Sequence, residues 1–151
     1  MSPSIDVSDT GWSITPPAGK PLILNGVQIR KITQTVLFSQ FTDGAAAAGT
    51  FDLTEPIPVG AIVLQACLTN IVGFTGDTSA AITVGDGSDV DRYNTGTPSV
   101  FTSIANGIAL GVPSGVQYHA VQKTVVLTVT SNADFTSVSA GSVTIEIYYL
   151  T

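Results

Sequence analysis

Short runs of β-branched and apolar residues, separated by Gly, Pro, Asn and Asp, recur along this chain from Pro21 onward. Such punctuation is typical of many short strands joined by turns, and no long helical period competes with it. The chain has 151 residues, which is enough for one domain with its own hydrophobic core. The pattern therefore predicts an all-β sandwich or barrel.

The two clearest strand candidates, at residues 123–130 and 142–150, alternate between apolar and polar residues. Alternation with a period of two places one set of side chains toward a core and the other toward solvent. The predicted inward residues are Val125, Leu127, Val129, Val143, Ile145, Ile147 and Tyr149. Tyr148 and Tyr149 are consequently expected on opposite faces of one strand.

Other segments complete the predicted sandwich. Residues 31–41 alternate with Ile32 and Val36 on one face, whereas residues 61–72 are apolar on both faces, which predicts a central strand covered from both sides. Residues 43–49 are expected to form a flexible loop or a short turn. Weaker strand candidates lie at residues 22–27, 50–53, 80–84, 99–104 and 116–121. The total of roughly eight or nine strands predicts a jelly-roll-like β-sandwich, with one domain at residues 21–151.

Residues 1–20 form a different kind of segment, predicted to be an extended N-terminal arm because its prolines forbid a regular helix. Trp12 is its one large aromatic residue, and an indole can bury a large apolar area while its N–H finds an acceptor. The sequence leaves two alternatives for Trp12: it docks on its own domain or on a neighbouring subunit. The arm residues predicted to bind a partner are Trp12, Ile14, Pro16 and Pro17.

Composition restricts the kind of partner. Only 11% of the residues are charged, the formal net charge is −6, and 44% are hydrophobic. An acidic chain with scattered Lys and Arg is unsuited to nucleic-acid binding, which needs clustered positive charge. No run approaches the roughly 20 apolar residues of a membrane helix, so no membrane partner is expected. A folded chain with so little charge suits burial against other protein subunits.

Residues able to catalyse a reaction are scarce. The only histidine is His119, the only cysteine is Cys67, and no Gly-x-Ser-x-Gly motif occurs. We expect His119 to be an outward-facing strand or loop residue and Cys67 to be a small buried hydrophobic residue rather than a reactive thiol. A lone cysteine also excludes an intrachain disulfide. The chain is predicted to be a protein without enzymatic activity and without a cofactor.

The densest polar cluster lies at residues 85–93, where Asp86, Asp89 and Asp91 precede Arg92. Calcium prefers such oxygen ligands, but these acids do not have the spacing of an EF-type loop and lack its distal Glu. Asp and Gly are also the residues of tight turns, and Arg92 can neutralise one acid. A turn with an ion pair is therefore favoured over a calcium site, which remains the alternative.

Four segments resemble structural proteins of tailed-bacteriophage virions, of the capsid decoration (head cement) or head-fibre type. They are GTFDL at residues 49–53, IPVGAIV at 57–63, ITVGDGSD at 82–89 and AGSVTIEIYYL at 140–150. The resemblance covers about residues 30–151 and leaves out the arm. Its motifs are mainly strand and turn patterns.

The resemblance implies a jelly-roll-like protein that is made in the host cytoplasm and resides in the virion. It would bind the major capsid protein on the outer capsid surface, commonly as a homotrimer, and stabilise the shell. The family offers no catalytic residues to carry over. Two alternatives remain at this stage: a receptor- or carbohydrate-binding module of a tail or head fibre, and a self-assembling shell protein. Carbohydrate binding has little support, since aromatic residues make up only 7% of the chain.

Overall fold

The computed structural model describes the backbone of residues 4–8, 11–15, 23–24, 27–102, 107–110 and 117–151, and side chains from residue 27 onward within these ranges. The described residues form β-strands and two short 3₁₀ turns, Phe38–Gln40 and Phe135–Ser137, with no α-helix among them. No helix in these ranges is long and apolar enough to cross a membrane. The strands are β1 (Ser4–Ser8), β2 (Gly11–Thr15), β3 (Ile23–Leu24), β4 (Val27–Leu37), β5 (Thr42–Asp43), β6 (Ala48–Asp52), β7 (Ile62–Thr75), β8 (Ala80–Asp86), β9 (Ile108–Ala109), β10 (Val125–Ser131) and β11 (Ala140–Leu150).

The strands form two main antiparallel sheets and a hairpin. One sheet has five strands in the order β3-β4-β11-β7-β9, and the other has four in the order β5-β6-β10-β8. The hairpin consists of β1 and β2, which pair with each other. The prediction of an all-β fold is confirmed.

One hydrophobic core lies between the inward faces of the two main sheets. Strand β10 buries Val125, Leu127 and Val129, as the alternation predicted. Strand β11 likewise buries its four predicted inward residues, and Tyr149 is only 4% exposed while Tyr148 is half-buried on the opposite face. The two strands with the clearest sequence pattern are each paired with a neighbouring strand on both sides.

Phe41 connects the sheets at one end of the core. Its ring centroid lies 6.0 Å from that of Phe51 on β6 and 6.0 Å from that of Phe74 on β7. The Phe135 ring, in the second 3₁₀ turn, is 5.9 Å away. Aromatic contacts at such distances stabilise a core beyond the area they bury.

The prediction for residues 61–72 is wrong in two respects. Strand β7 is not central, because β11 occupies the middle of the five-stranded sheet. It is also covered on one face only, since Ile62, Leu64 and Val72 are exposed. The pairing of β7 with β11 shifts register around Leu64 and again between Thr69 and Val72. Such bulges move successive side chains to the other face, so an apolar run on both faces becomes one buried face and one exposed face. The buried residues of β7 are Val63, Ala66, Leu68, Ile71 and Phe74.

Several weaker predictions also change. The predicted strand at residues 22–27 is split between β3 and the start of β4, which pair antiparallel. The described parts of residues 99–104 and 116–121 contain isolated bridges rather than strands. Residues 43–49 do form a turn, in which the Ala45 N–H donates to Asp43 Oδ1 at 3.0 Å.

Candidate interaction surface

We call the solvent side of the five-stranded sheet the outer face; its residues are exposed or half-buried, except for Thr144, which is buried. It consists of the outward residues of β4, β11 and β7, aligned in rows by the strand register. Alternate residues of an antiparallel strand share one side, so these rows lie next to each other on one face. The five rows are Ile29–Leu150–Ile62, Lys31–Tyr148–Gln65, Thr33–Glu146–Cys67, Thr35–Thr144–Thr69 and Leu37–Ser142–Val72.

Both ends of the outer face are apolar. At one end Ile29 is 57% exposed and Ile62 38% exposed, and at the other end Leu37 is 50% exposed and Val72 62% exposed. Single exposed apolar residues are ordinary, but several on one sheet face mark a surface suited to binding. This concentration favours a protein interface on the outer face.

The middle of the outer face is polar but carries balanced charge. Lys31 Nζ lies 2.9 Å from Glu146 Oε1, and the Tyr148 hydroxyl donates to Glu146 Oε2 at 2.7 Å. These two hydrogen bonds, from Tyr148 first and then from Lys31, lower the pKa of Glu146. The carboxylate therefore stays ionised and paired with Lys31, so the rows bring no net charge to a partner.

Cys67 lies in the same row of the outer face as Glu146 and is half-buried. Burial raises the pKa of its thiol, and the neighbouring Glu146 raises it further. A thiol with a raised pKa is a poor nucleophile because little thiolate is present near neutral pH. The expectation that Cys67 is buried is met only in part, because its side chain is half-buried.

The solvent side of the four-stranded sheet is different in character. The register aligns Thr50, Thr128 and Thr83 in one row, with Ala48, Thr130 and Ala81 in the next. None of the large exposed hydrophobic residues lies on this side within the described chain. The outer face of the five-stranded sheet is therefore the stronger candidate for a protein interface.

The acidic cluster forms the predicted turn with an ion pair. Asp86 Oδ1 accepts hydrogen bonds from the Ser88 N–H at 2.9 Å, the Ser88 hydroxyl at 2.7 Å and the Asp89 N–H at 3.0 Å. Asp86 Oδ2 lies 2.8 Å from Arg92 Nε and 3.4 Å from Lys123 Nζ. Both carboxylate oxygens are thus used, one by the turn and one by two cations. No group of three or more His, Cys, Asp or Glu in the described residues is placed to hold a metal ion.

This arrangement predicts a pH dependence of stability. Burial alone would raise the pKa of Asp86, but hydrogen bonds from Ser88, the charge of Arg92 and a hydrogen bond from Lys123 outweigh it and lower the pKa from 3.8 to about 2. A carboxyl group with a lower pKa in the folded state stabilises the fold when ionised. This contribution, about 2 kcal/mol, is complete above about pH 4 and is lost as the pH falls through about 2.

The measurement is urea unfolding of the native protein and of Asp86→Asn between pH 5 and pH 2. We expect the stability difference between the two proteins to shrink as the pH falls, because the native carboxyl group is protonated in that range. The other carboxyl groups are common to both proteins, so their titration cancels in the difference. A difference that stays constant down to pH 2 would contradict the role assigned to Asp86.

The prediction that His119 faces outward is wrong. His119 is 3% exposed, and its Nε2 lies 3.1 Å from the hydroxyl of the fully buried Tyr93. Residues 117–123 run beside residues 57–63 through isolated hydrogen bonds, including His119 N–H to the Ala61 carbonyl at 2.9 Å, so strand alternation does not apply there. Burial lowers the pKa of His119, and the positive charge of Arg92 lowers it further. The neutral imidazole is a packed core group at neutral pH.

The arm residues have a partial description. Trp12 and Ile14 lie in β2, where the register sets Trp12 opposite Val7 and Ile14 opposite Ile5. Pro16 and Pro17 lie outside the described residues. The outer face itself was not predicted residue by residue, although the low charge of the chain predicted strand faces suited to burial against other subunits. The sequence pattern that could have predicted the outer face is the position of Ile29 and Leu37, which are apolar residues on the solvent side of an alternating strand.

Comparisons with known proteins find a likeness among solved structures. No protein-family model matches the chain, and no curated protein matches it. Among solved structures, the chain is similar to a chain of the "Cyanophage Pam1 capsid asymmetric unit", with 22% sequence identity and a TM-score of 0.61. The match covers 90% of this chain and 96% of that chain. At this identity the likeness establishes a shared all-β fold over nearly the whole length of both chains.

Proposed function

We propose that this chain is a non-enzymatic structural protein of a phage virion, a capsid decoration protein that binds the outer capsid surface and stabilises the shell. The observation that carries the proposal is the outer face, which is apolar at both ends and balanced in charge at its centre. The fold shared with a chain of a cyanophage capsid supports the same role. The resemblance seen in the sequence motifs supports the same role. We also propose that the two sheets are connected in a jelly-roll-like topology.

The proposed partners are other copies of this chain, in a homotrimer, and the major capsid protein. Exposed apolar residues such as Ile29 and Val72 are stabilised when a partner covers them, and interfaces between permanent subunits often bury about 2,000 Å² or more. Three linked copies would bind a shell more tightly than one copy, because each attached copy raises the effective concentration of the next. In the arm, we propose that Trp12, Ile14, Pro16 and Pro17 contribute to partner binding.

The described side chains offer little for catalysis, which is why we propose a structural role. The sole histidine is buried against Tyr93, and the half-buried Cys67 lies beside Glu146 on the outer face. Neither is arranged with a second group in the way that an activated nucleophile requires. The proposed role therefore depends on binding to other proteins.

The proposal is tested by the native mass of the purified chain and by its sedimentation with capsids. We expect a mass three times that of the 15.5 kDa chain, and co-sedimentation with assembled shells that lack the protein. The matched control is sedimentation without shells. A stable monomer that does not bind shells would refute the proposal, and glycan binding without shell binding would favour the receptor-binding alternative.

A further inference from the structure

Within the part of the chain that the structure describes, strand β4 has no partner on one side over most of its length. On one side it pairs with β11 from Ile29 to Leu37, and on the other side β3 pairs only with Val27 and Gln28 among the described residues. A strand with an unpaired edge is a template for another strand, so such edges are usually short or protected. The open edge of β4 is long by comparison.

The hydrogen-bond pattern shows which backbone groups lie on this edge. Gln28 and Thr151 exchange backbone hydrogen bonds of 2.8 and 3.0 Å across the β4–β11 side. In an antiparallel pair the bonded positions alternate, so even-numbered residues of β4 bond to β11 and odd-numbered residues turn their N–H and C=O groups to the open side. The Leu37 N–H accordingly donates to the Gln40 side chain at 2.8 Å and closes the edge there. In the described chain, the backbone groups of Ile29, Lys31, Thr33 and Thr35 on this side have no β-partner.

The edge is also positively charged. Arg30 and Lys31 are adjacent and both exposed, and β4 contains no acid. Lys31, on the outer side of β4, is 43% exposed even in its ion pair with Glu146, and Arg30, on the inward side, contacts the neutral Gln28 side chain at 2.7 Å. Pairing of β4 with β4 of another copy would bring these cations together, which is unfavourable. The edge therefore suits a strand that carries negative charge.

The β1–β2 hairpin has the properties of such a strand donor. Strand β1 carries the acid Asp6, and no basic residue precedes Lys20 in the sequence. The register of the hairpin puts four apolar residues at positions on one face of the ribbon and polar or small residues at positions on the other. A two-stranded hairpin is marginally stable in water by itself and gains stability when a third strand joins it. The apolar positions are Ile5, Val7, Trp12 and Ile14.

We propose that the β1–β2 hairpin of a second copy adds to the open edge of β4 at residues 29–35. The proposal rests on the self-association in the proposed function and specifies how it occurs. The edge spans about 24 Å and each hairpin strand about 17 Å, so a whole hairpin strand fits along it. The apolar positions then continue the inward side of β4, where Ile32 and Val36 are buried, and the polar positions, which include Asp6, continue the outer face on the side of Lys31. Donation from each copy to the next is a head-to-tail contact, which can close into the ring of a trimer.

The test is a disulfide between the hairpin and the edge in the full-length chain. In a Cys67→Ser background, Ser13→Cys places a thiol at a polar position of β2 and Thr33→Cys places one at the middle of the edge. After oxidation, we expect the double variant to run mainly as covalent dimers and trimers without reductant. The matched control combines Ser13→Cys with Thr130→Cys, on β10, which is paired on both sides, and it should stay unlinked.

A second variant tests the backbone edge directly. Thr33→Pro removes an N–H on the open side, where proline is tolerated, and obstructs an added strand, while Thr33→Val keeps the N–H. We expect circular dichroism to show that both variants fold. Only the proline variant should have its native mass reduced to that of a single chain. A disulfide within one chain, or a trimer that forms without the link and withstands Thr33→Pro, would overturn the strand exchange and leave the proposed function standing. A monomeric native protein would overturn the self-association as well.

Discussion

Replacing Asp86 with alanine is expected to lower the free energy of unfolding by about 3 kcal/mol. The Asp86 side chain is almost fully buried and contacts both Arg92 and Lys123. Its loss removes the acceptor of three hydrogen bonds in the turn and leaves Arg92, whose side chain is 20% exposed, without its nearest acid. Removing one partner of a buried ion pair is costly because the other charge stays desolvated.

Urea denaturation of Asp86→Ala measures this effect, and Asp91→Ala is the matched control. Asp91 belongs to the same acidic cluster but is exposed, so its substitution should change stability by less than about 0.5 kcal/mol. The turn also packs closely on β8, where a side chain on Gly85 would overlap the Asp89 carbonyl. If Asp86→Ala cost no more than the Asp91 variant, the turn would not depend on the buried carboxylate.

Sequence patterns predicted the strands that follow regular pairing. Strand β10 pairs with β6 and β8 without a register shift, so its alternation of apolar and polar residues translates directly into buried and half-exposed side chains. Strand β7 could not be predicted in the same way. Its bulges insert residues that have no partner on β11, and one nearby residue, Asn70, has a φ of 46°. Alternation within a segment does not reveal where an extra residue will be placed.

The position of His119 depended on contacts between distant segments. Tyr93, its hydrogen-bond partner, is 26 residues away, and residues 117–123 follow no strand period in the described chain. The acidic turn was predictable because its hydrogen bonds connect residues two or three positions apart, such as Asp86 and Ser88. Local chemistry was therefore visible in the sequence, whereas burial set by tertiary packing was not.

The outer face combines both kinds of information. The low charged fraction of the chain predicted a surface suited to burial against partners, and that prediction needed no contact information. Which residues form the surface depends on the pairing of β4 with β11, and Lys31 and Glu146 are 115 positions apart. Their ion pair makes the centre of the face neutral, which neither residue indicates by itself. The residues of the proposed interface could therefore be identified only from the register of the sheet.

Placing two glutamates at one apolar end of the outer face, Leu37→Glu with Val72→Glu, is expected to weaken self-association or capsid binding by roughly a hundredfold or more, about 3 kcal/mol. Both side chains are at least half exposed in the single chain, so the folded monomer can solvate the new carboxylates. Their desolvation is required only when a partner covers the face. The free energy of unfolding at low protein concentration should consequently change by less than about 0.5 kcal/mol.

The control is Val59→Glu with Val121→Glu, which adds the same charge at residues that are 65% and 60% exposed and lie outside the strands. Sedimentation equilibrium and binding to shells are measured for both double variants and for the native chain. General repulsion from added negative charge would affect the two variants equally, whereas burial of the outer face affects only the first. Equal loss in both would remove the argument that this face is the interface, because the effect would then follow net charge rather than position.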